Sequence, residues 1–491
     1  MGKALVCACE DVSLHDVDDA VARGWGDIES LKRYTGLGTG PCQGKSCLVA
    51  CMRHLAGRLP PGARQPFTPR PPFAPTTLAA LAGLSESAAP APKTIMREAS
   101  RPHPLQPATP LPERARVVIV GGGIMGLALA WGLARRGVTD VVVLERGYLL
   151  EGASGRNGGG VRMQWTTAPF IELARASIEF MKRFAQELGI NVWLRQGGYL
   201  FTARDAAEAR AAEKRAAFQR RHGVKTEILT PAEAQRVAPE LDPTSLVAAA
   251  YHPDDGVIFP WPFLWGYADG ARKLGARVET FTRVTAIDVE GGKVRGLQTD
   301  RGRITTDCVV VAAGAWSPEV ARLAGVALPN EPHRHEILVT EPLKPFLEPL
   351  ISELGSGLYF SQSMRGEIVG GMGDPAEPPG LDMSSTARFA ARFARAATRL
   401  VPRLGGVKVV RQWAGCYDVT PDRSPILGET PGVAGLLQLN GFVGHGFMMA
   451  PAVCERMAHW MASGERDELF EKYALSRFAE GRLEREDMII G

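Results

Sequence analysis

Residues 117–126 read VVIVGGGIMG, a β-branched run that leads into a glycine-rich turn. Gly121, Gly123 and Gly126 fit the pattern G-x-G-x-x-G, and the residues that follow have helical spacing. In such a turn the first glycine permits a tight bend, the second lets the backbone approach a pyrophosphate, and the third lets helix and strand pack closely. A second valine-rich run ends at Glu145, 19 residues after Gly126, where an acid accepts ribose hydroxyls. The segment predicts a βαβ unit with a dinucleotide site, against the alternative of a purely structural glycine turn.

Three later segments favour FAD over NAD. GASGRNGGGVRMQW (152–165) follows the βαβ unit directly and offers small residues and backbone N–H groups along a path from pyrophosphate to isoalloxazine. VVVAAGAWS (309–317) is a late strand that returns to the nucleotide domain, and NGFVGHGF (440–447) begins a helix. The N-terminal dipole of that helix can stabilise negative charge on a reduced flavin ring. The residues expected to contact the cofactor, besides the glycines and acid above, are Arg146, Ser154, Arg156, Asn157, Gly158, Gly314, Gly444, Gly446 and Phe447.

These segments, in this order, resemble the D-amino-acid-oxidase-type FAD oxidoreductases, which include glycine oxidase, sarcosine oxidase and opine and hydroxyproline dehydrogenases. The resemblance covers residues from about 115 to 475. Its most specific part is WAGCYDVTPDRSPILG (413–428), which is similar to a WAG…TPD stretch of the family. PHRHEILVTEP (332–342) resembles the sarcosine oxidase β-subunit branch. The resemblance implies oxidation of an amino acid or secondary amine by hydride transfer to flavin N5.

The resemblance also implies which side chains act on the substrate. Arg162 falls where related enzymes place an arginine that clamps the substrate carboxylate, and its alternative is a phosphate-side or solvent-exposed arginine. Tyr417 is expected to donate a hydrogen bond to the carboxylate or else to be a core aromatic. His445 is expected beside the flavin ring or as a helix-capping residue. His335 is expected near the substrate or as a buried structural histidine.

Three positions depart from the family pattern. Gly415 stands where some relatives tether FAD through a cysteine, and Cys416 is one residue away. Arg204 stands where the β-subunit branch tethers FMN through a histidine, and Met448 replaces a lysine that follows the GHGF turn. We therefore predict a non-covalent flavin and a dehydrogenase rather than an oxidase.

Five of the eight cysteines lie in the first 51 residues. Cys7 and Cys9 form one close pair in the sequence, and Cys42 and Cys47 form another. Together they supply four thiolates, the number of ligands that a [2Fe–2S] cluster needs. The segment resembles the domain of bacterioferritin-associated ferredoxin. A structural zinc site with four cysteine ligands is the alternative. Cys51 is expected to be a spare buried thiol.

The predicted architecture combines α/β and α+β parts. A Rossmann-like FAD domain and a discontinuous antiparallel-sheet substrate domain follow a small helical iron–sulfur domain. Fourteen prolines between residues 60 and 112 predict an extended linker. The expected boundaries are 1–59 for the four-cysteine domain, 60–112 for the linker, 113–165, 280–330 and 410–475 for the FAD domain, 166–279 and 331–409 for the substrate domain, and 476–491 for a C-terminal tail.

The two predicted cofactors fit one another, because a flavin accepts two electrons together and a [2Fe–2S] cluster passes them singly. We expect an amino-acid or amine substrate and an acceptor other than oxygen, such as a second flavoprotein, a quinone or a carrier, or further subunits. Two other functions stay open. A glycerol-3-phosphate-type dehydrogenase would need a basic phosphate pocket, and a non-catalytic electron-transfer subunit would need no substrate site.

Composition bounds the remaining function classes. The formal net charge is +4, and no basic run is interleaved with aromatics, so no nucleic-acid partner is expected. The first residues, MGKALVCACEDVSLHD, do not form a secretory signal, and no apolar stretch approaches the ~20 residues that span a bilayer. A cytoplasmic location is predicted, with peripheral contact at the inner face of the membrane left open.

Overall fold

The computed structural model describes residues 3–25, 27–58, 66–85 and 109–489. The helices are α1 Leu14–Ala22, α2 Ile28–Thr35, α3 Cys47–Leu55, α4 Leu78–Ala82, α5 Ile124–Arg135, α6 Ala168–Leu188, α7 Ala206–Arg221, α8 Pro231–Val237, α9 Pro260–Lys273, α10 Ser317–Arg322, α11 Ala387–Leu400, α12 Gly446–Ser463, α13 Glu468–Lys472 and α14 Arg477–Glu480. The strands are β1 Leu5–Cys7, β2 Val12–Ser13, β3 Thr76–Thr77, β4 Val117–Val120, β5 Val141–Leu144, β6 Gly160–Val161, β7 Tyr199–Ala203, β8 Glu227–Leu229, β9 Ala248–His252, β10 Gly256–Val257, β11 Arg277–Glu279, β12 Val284–Glu290, β13 Lys293–Thr299, β14 Gly302–Thr305, β15 Val309–Val311, β16 Glu331–Pro342, β17 Leu350–Glu353, β18 Leu358–Gln362, β19 Glu367–Met372, β20 Lys408–Val419, β21 Ile426–Thr430 and β22 Val433–Asn440.

The first large sheet has the order β11-β5-β4-β15-β22-β13-β12, and its strands from β11 to β22 run parallel. Strands β4, β5 and β15 are the fully buried runs VVIV, VVVL and VVV. Such apolar runs are typical of parallel strands that are covered on both faces. Helix α5 joins β4 to β5 and packs against α9 and α12. The predicted βαβ unit and Rossmann-like fold are therefore confirmed.

The second large sheet has the order β3-β20-β16-β19-β18-β17-β7-β9-β8 and is antiparallel except for the β17–β7 pair. Helix α11 packs on β18 and β19, and its residues Phe389, Phe393 and Leu400 are buried. The long strands β16 and β20 pair along their length, with His335 opposite Gly415. Strand β20 crosses residue 410, the predicted boundary between the substrate and FAD domains, so the two regions share this strand.

Part of the segment predicted to be an extended linker is folded. Strand β3 adds to the edge of β20, and α4 buries Leu78 and Leu81 beside α11. Proline is compatible with this arrangement because an edge segment needs few backbone N–H donors. The linker prediction is wrong for residues 66–85, and the stretches 59–65 and 86–108 lie outside the described residues.

The described part of the N-terminal domain (residues 3–25 and 27–58) holds β1, β2 and helices α1 to α3. Val17, Leu31 and Leu55 are fully buried in it. Its core is continuous with that of the parallel sheet, because both belong to one cluster of buried apolar side chains. In the part of the chain that the structure describes, no helix is both long and apolar enough to cross a membrane.

Candidate functional site

A deep cavity lies where the carboxyl ends of β4, β5 and β15 face strand β20 of the second sheet. This edge of a parallel sheet, outside the carboxyl ends of its strands, is where α/β folds bind ligands. The cavity brings together most of the residues predicted from sequence, namely Gly121, Gly123, Glu145, Arg146, Ser154, Arg156, Asn157, Gly314, His335, Tyr417, Gly444, Gly446 and Phe447. Four others, Gly126, Gly158, Arg162 and His445, lie outside its lining.

The glycine-rich turn forms one end of the cavity. Gly121 has a φ of +122°, and a Cβ there would lie 2.3 Å from the carbonyl oxygen of Ala312. At Gly126 a Cβ would lie 2.0 Å from the Gly121 carbonyl oxygen. The two glycines therefore let β4, α5 and β15 approach each other, as the pattern predicts.

The carboxylate of Glu145 faces this turn. It accepts hydrogen bonds from the backbone N–H of Gly122 and of Gly147, each at 2.9 Å. Burial raises its pKa above the ordinary value, and the two N–H groups oppose that shift. A carboxylate offers about four acceptor positions, so two remain for the hydroxyls of a ribose.

Loop 148–157 covers the turn and is held by its own polar groups. Ser154 Oγ accepts from the N–H of Ile124 at 3.1 Å, at the first turn of α5. Asn157 donates to the Ser154 carbonyl at 2.5 Å and accepts from the N–H of Gly159 at 2.7 Å. Arg156 donates to the carbonyl of Glu151 at 2.6 Å and to that of Ala414 at 2.9 Å. Arg156 therefore fixes the loop against β20.

The donor set of this end fits a dinucleotide. The N-terminus of α5 lines the cavity, Glu145 supplies acceptors, and no side chain at Gly121 or Gly123 obstructs the path. The lining then continues past Gly314 and Gly446 to Tyr417. The same cavity can therefore take a nucleotide at one end and a second ring system near β20.

Three aromatic side chains form the other end of the cavity. The ring of His335 stacks with that of Tyr417 at 4.7 Å and with that of Tyr359 at 5.6 Å between centroids. His335 Nε2 lies 3.2 Å from the Tyr359 hydroxyl, which is also within hydrogen-bonding reach of the Tyr417 hydroxyl. Burial lowers the pKa of His335 to about 4 and raises those of both tyrosines. All three groups are uncharged at neutral pH.

Tyr359 and Asp418 line the cavity but were missed in the sequence. Tyr359 fits because a Cβ at Gly371 would lie 2.6 Å from its hydroxyl, so a glycine is required on the neighbouring strand. Asp418 accepts from the N–H of Gly441 at 2.6 Å and of Val443 at 3.1 Å, which fixes the turn before α12. Burial raises the pKa of Asp418 to about 6. In the sequence, the position of Asp418 directly after Tyr417 is what could have indicated that it lines the cavity.

Arg162 lies just behind the aromatic end and is fully buried. Its guanidinium is 3.6 Å from the centroid of the Trp165 ring and donates to the carbonyls of Gln164 and Met488. Its Nε has no hydrogen-bond partner among the described residues. Burial lowers the pKa of Arg162, while the electrostatic attraction of Tyr199, Glu486, Asp255 and Tyr417 opposes that shift.

His445 is the N-cap residue of α12 and is also buried. Its Nδ1 lies 2.8 Å from the Val443 carbonyl oxygen, and its ring meets that of Trp165 edge-on at 5.1 Å. Burial, and then the charge of Arg162, hold the pKa of His445 well below its ordinary value.

Gly158 packs against the Tyr359 ring, where a Cβ would be 3.2 Å away.

The N-terminal cysteines form two pairs. Cys7 is within hydrogen-bonding reach of Cys47, and Cys9 of Cys42. Burial acts to raise the pKa of Cys42, but the Ser46 N–H, the Cys9 thiol and further backbone donors hold it below its ordinary value. The described residues nevertheless contain no group of three or more His, Cys, Asp or Glu side chains arranged around a metal position.

The chain is similar to known proteins in sequence and in fold. Residues 1–84 match the family model described as "Sarcosine oxidase A3 domain", and residues 116–460 match "FAD dependent oxidoreductase". Sarcosine oxidase subunit beta of Rhizobium meliloti (strain 1021) is 33% identical over 375 residues, which are 75% of this chain and 89% of that protein. The structure of L-proline dehydrogenase from P. horikoshii has a TM-score of 0.72 and 33% identity, covering 76% of this chain and 100% of that one. For glycine oxidase from Geobacillus kaustophilus the TM-score is 0.69 and the identity 26%, covering 74% of this chain and 99% of that one.

These matches agree with the geometry of the cavity. The longer family match includes the glycine-rich turn, loop 148–157 and the turn before α12, which together line the nucleotide path. The TM-scores of 0.72 and 0.69 show that these two solved structures have a similar fold over about three quarters of this chain. This enzyme therefore belongs to the FAD dependent oxidoreductase family.

Proposed function

We propose that this enzyme oxidises a small amino acid or secondary amine of the sarcosine, glycine, D-proline, hydroxyproline or opine class. The observation that carries the substrate class is the stack of His335 with Tyr417 and Tyr359 at the inner end of the FAD cavity. When bound, FAD accepts the hydride that leaves the carbon bearing the amine. The protein's part is to orient the substrate and to set its protonation state.

The uncharged aromatic end suits an amine in its neutral form. An amine must keep its lone pair free to expel a hydride from the adjacent carbon, and a nearby carboxylate would instead stabilise the ammonium. The pKa of His335 is about 4, so its ring is neutral at neutral pH. One ring nitrogen can therefore accept a proton beside the Tyr359 hydroxyl. We infer that His335, Tyr359 and Tyr417 form the wall against which the amine lies.

Arg162 is proposed as the carboxylate clamp. The guanidinium of Arg162 donates a hydrogen bond to the Met488 carbonyl oxygen, so an oxygen acceptor can bind at this edge. The Nε of Arg162 has no hydrogen-bond partner among the described residues. Arg pairs with a carboxylate through two parallel hydrogen bonds. In this proposal Tyr417 adds a hydroxyl to the same carboxylate, and His445 holds the turn before α12 through its contact with the Val443 carbonyl.

A phosphate-bearing substrate fits this end less well. Arg146 and Arg283 line the cavity near Glu145, so they belong to the nucleotide end. Of the described lining residues near Tyr417, Arg156 alone is cationic, and it donates to two backbone carbonyls. The names of the relatives, a sarcosine oxidase subunit, an L-proline dehydrogenase and a glycine oxidase, support an amino-acid substrate over glycerol 3-phosphate. The stack of His335 with Tyr417 and Tyr359 supports an enzyme with its own substrate site over a purely electron-transferring subunit.

Non-covalent attachment of the flavin is part of the proposal. The thiol of Cys416 faces the carbonyls of Gly380 and Asp382, and burial raises its pKa to about 11, which keeps it an unreactive thiol. Arg204 pairs with Glu208 at 2.6 Å. At the position of the missing lysine, Met448 is buried in α12. These contacts support a dehydrogenase with an acceptor other than oxygen.

We propose that Cys7, Cys9, Cys42 and Cys47 bind a [2Fe–2S] cluster that takes electrons from the flavin one at a time. The two adjacent thiol pairs and the backbone donors at Cys42 support this assignment. From the cluster, electrons would pass to a second flavoprotein, a quinone or a carrier. Because one relative is named as a subunit, we also propose further subunits, in a cytoplasmic assembly or one that touches the inner face of the membrane.

An anaerobic substrate screen tests this function. Purified holoenzyme is mixed with sarcosine, glycine, D-proline, hydroxyproline, an opine or glycerol 3-phosphate, and flavin absorbance is followed. We expect at least one amine to bleach the flavin and glycerol 3-phosphate to leave it oxidised. Bleaching by glycerol 3-phosphate alone, or by none of these compounds, contradicts the proposal. Iron and acid-labile sulfide analysis of the same sample tests the cluster.

A further inference from the structure

The N-terminal domain contacts loop 148–157 through a buried ion pair on α2. Glu29 and Arg33 are about one helical turn apart, with Arg33 Nη1 2.6 Å from Glu29 Oε2. Both side chains are almost completely buried, and Glu29 also accepts from the N–H of Thr68 at 2.5 Å. A buried carboxylate with these partners fixes the guanidinium in one orientation. Arg33 is therefore a rigid element, unlike an exposed arginine.

The free edge of Arg33 faces Tyr148. Its Nη2 lies 3.2 Å from the Tyr148 hydroxyl, and its guanidinium lies 4.8 Å from the centroid of that ring. Tyr148 is buried and begins loop 148–157, three residues after Glu145. The contact thus joins the N-terminal domain to the segment that leads from the ribose site to the pyrophosphate site.

A second contact reaches the other end of the same loop. Trp25 and Tyr34 of the N-terminal domain pack on Trp265 of α9, at 5.5 and 5.0 Å between ring centroids. Trp265 in turn packs against Trp261, whose Nε1 donates to the Gly155 carbonyl at 3.0 Å.

The backbone is tightly packed at Gly155, because a Cβ there would lie 2.2 Å from the Leu150 carbonyl oxygen. Both ends of the loop are therefore fixed by the N-terminal domain, one directly and one through α9.

We infer that Arg33 is a positioning residue for the flavin, acting through Tyr148 on loop 148–157. The N-terminal domain then does more than carry cysteines: it holds the loop in the shape that retains FAD. This inference rests on the family's FAD dependence and does not depend on the substrate or on the cysteine ligands. Loss of the contact releases the loop and raises the dissociation constant for FAD.

Full-length Arg33→Met, Arg33→Lys, Tyr148→Phe and Arg33→Met/Tyr148→Phe variants test this role. Arg58→Met is the matched control, because Arg58 forms an exposed ion pair with Asp18 at 2.7 Å in the same domain. The readouts are the dissociation constant for FAD, from fluorescence titration of apoprotein, and the melting temperature of the apoprotein. Tyr148→Phe keeps the ring and removes only the hydroxyl, so it decides the question if Arg33→Met does not fold.

We expect roughly fivefold weaker FAD binding in Tyr148→Phe and at least about tenfold weaker binding in Arg33→Met, as one charge-assisted hydrogen bond allows. The double variant should bind FAD no more weakly than Arg33→Met, because both changes remove one contact. Arg33→Lys should recover part of the loss, and Arg58→Met should bind like wild type. If Tyr148→Phe leaves the dissociation constant within twofold of wild type, or if the two changes add independently, the inference is wrong.

Discussion

The imidazole of His335 and the phenol ring of Tyr417 lie nearly parallel, 4.7 Å apart between centroids and 12° apart in plane, on neighbouring strands β16 and β20. The Tyr417 hydroxyl is within hydrogen-bonding distance of the Tyr359 hydroxyl, which in turn lies 3.2 Å from His335 Nε2. The three side chains therefore form one hydrogen-bonded unit. Its behaviour is the most direct test of the proposed substrate end.

Tyr417→Phe should lower kcat/KM for the best amine substrate by about tenfold, because one hydrogen bond to the substrate is lost. The flavin spectrum and FAD content should stay unchanged. Steady-state kinetics measures the effect. Tyr251→Phe is the control, since its hydroxyl donates to the Gly197 carbonyl in the same sheet but does not line the cavity. Equal kinetics for the two variants would remove Tyr417 from the substrate site.

His335 should make the folded enzyme less stable in acid. Burial lowers its folded pKa to about 4 from 6.5, so between these values the unfolded chain binds more protons. Stability contributed by the neutral ring is complete above about pH 6.5 and falls as the pH drops toward 4. Between pH 7 and pH 5 the loss from this residue is about 2 kcal/mol.

Comparison with His335→Gln isolates this contribution, because glutamine does not titrate. Urea unfolding of the two apoproteins at pH 7 and pH 5 measures it. The wild type should lose about 2 kcal/mol more than the variant over this interval. Parallel losses in both proteins would show that His335 does not titrate as proposed.

The glycine-rich turn and the turn before α12 were predictable from sequence because their signals are local. In each turn the glycines lie within a few residues of the strand that precedes them and of the helix that follows, α5 at Ile124 and α12 at Gly446. Tyr359 was not predictable, because its place depends on β18 lying beside β19 and so near His335. Strand pairing between residues distant in sequence leaves no local mark at either one.

Contacts between residues distant in sequence also explain why the folding of residues 76–82 and the burial of Arg162 were not predicted. Proline content describes local preference, whereas strand β3 is ordered by pairing with β20, over 300 residues away. Arg162 was expected to bind a substrate carboxylate, yet its guanidinium donates a hydrogen bond to the carbonyl oxygen of Met488, 326 residues away. The role of Arg162 as a carboxylate clamp stays a prediction, and the neighbour that covers its guanidinium comes from tertiary structure.

Replacement of Arg162 should abolish preference for a substrate carboxylate. In Arg162→Met we expect kcat/KM for the free amino acid to fall by roughly two to three orders of magnitude, because a buried charge pair is lost. The corresponding methyl ester should be oxidised at a rate similar to that in the wild type. Kinetics with both substrates measures the ratio. A variant that still prefers the free acid by the wild-type factor would assign the clamp to another residue.

Gly121→Ala should eliminate FAD binding. The added Cβ would lie 2.3 Å from the Ala312 carbonyl oxygen, and alanine is strained at a φ of +122°. Flavin content after purification should fall at least about tenfold. Gly406→Ala is the control, because a Cβ there meets nothing within 4 Å. Normal flavin content in Gly121→Ala would mean that FAD binding does not need the tight bend at Gly121.

Removal of one predicted cluster ligand should separate the two redox steps. In Cys42→Ser, iron and acid-labile sulfide should fall well below two atoms per chain, while anaerobic substrate still bleaches the flavin. Transfer from reduced flavin to a one-electron acceptor such as ferricenium should slow by at least about tenfold, because the flavin has lost its one-electron outlet. Cys51→Ser is the control: Cys51 is buried on α3, and burial raises its pKa to about 12, so it should stay a thiol. Full iron in Cys42→Ser, or equal iron loss in both variants, would refute the four-cysteine assignment, and zinc in place of iron would favour the structural alternative.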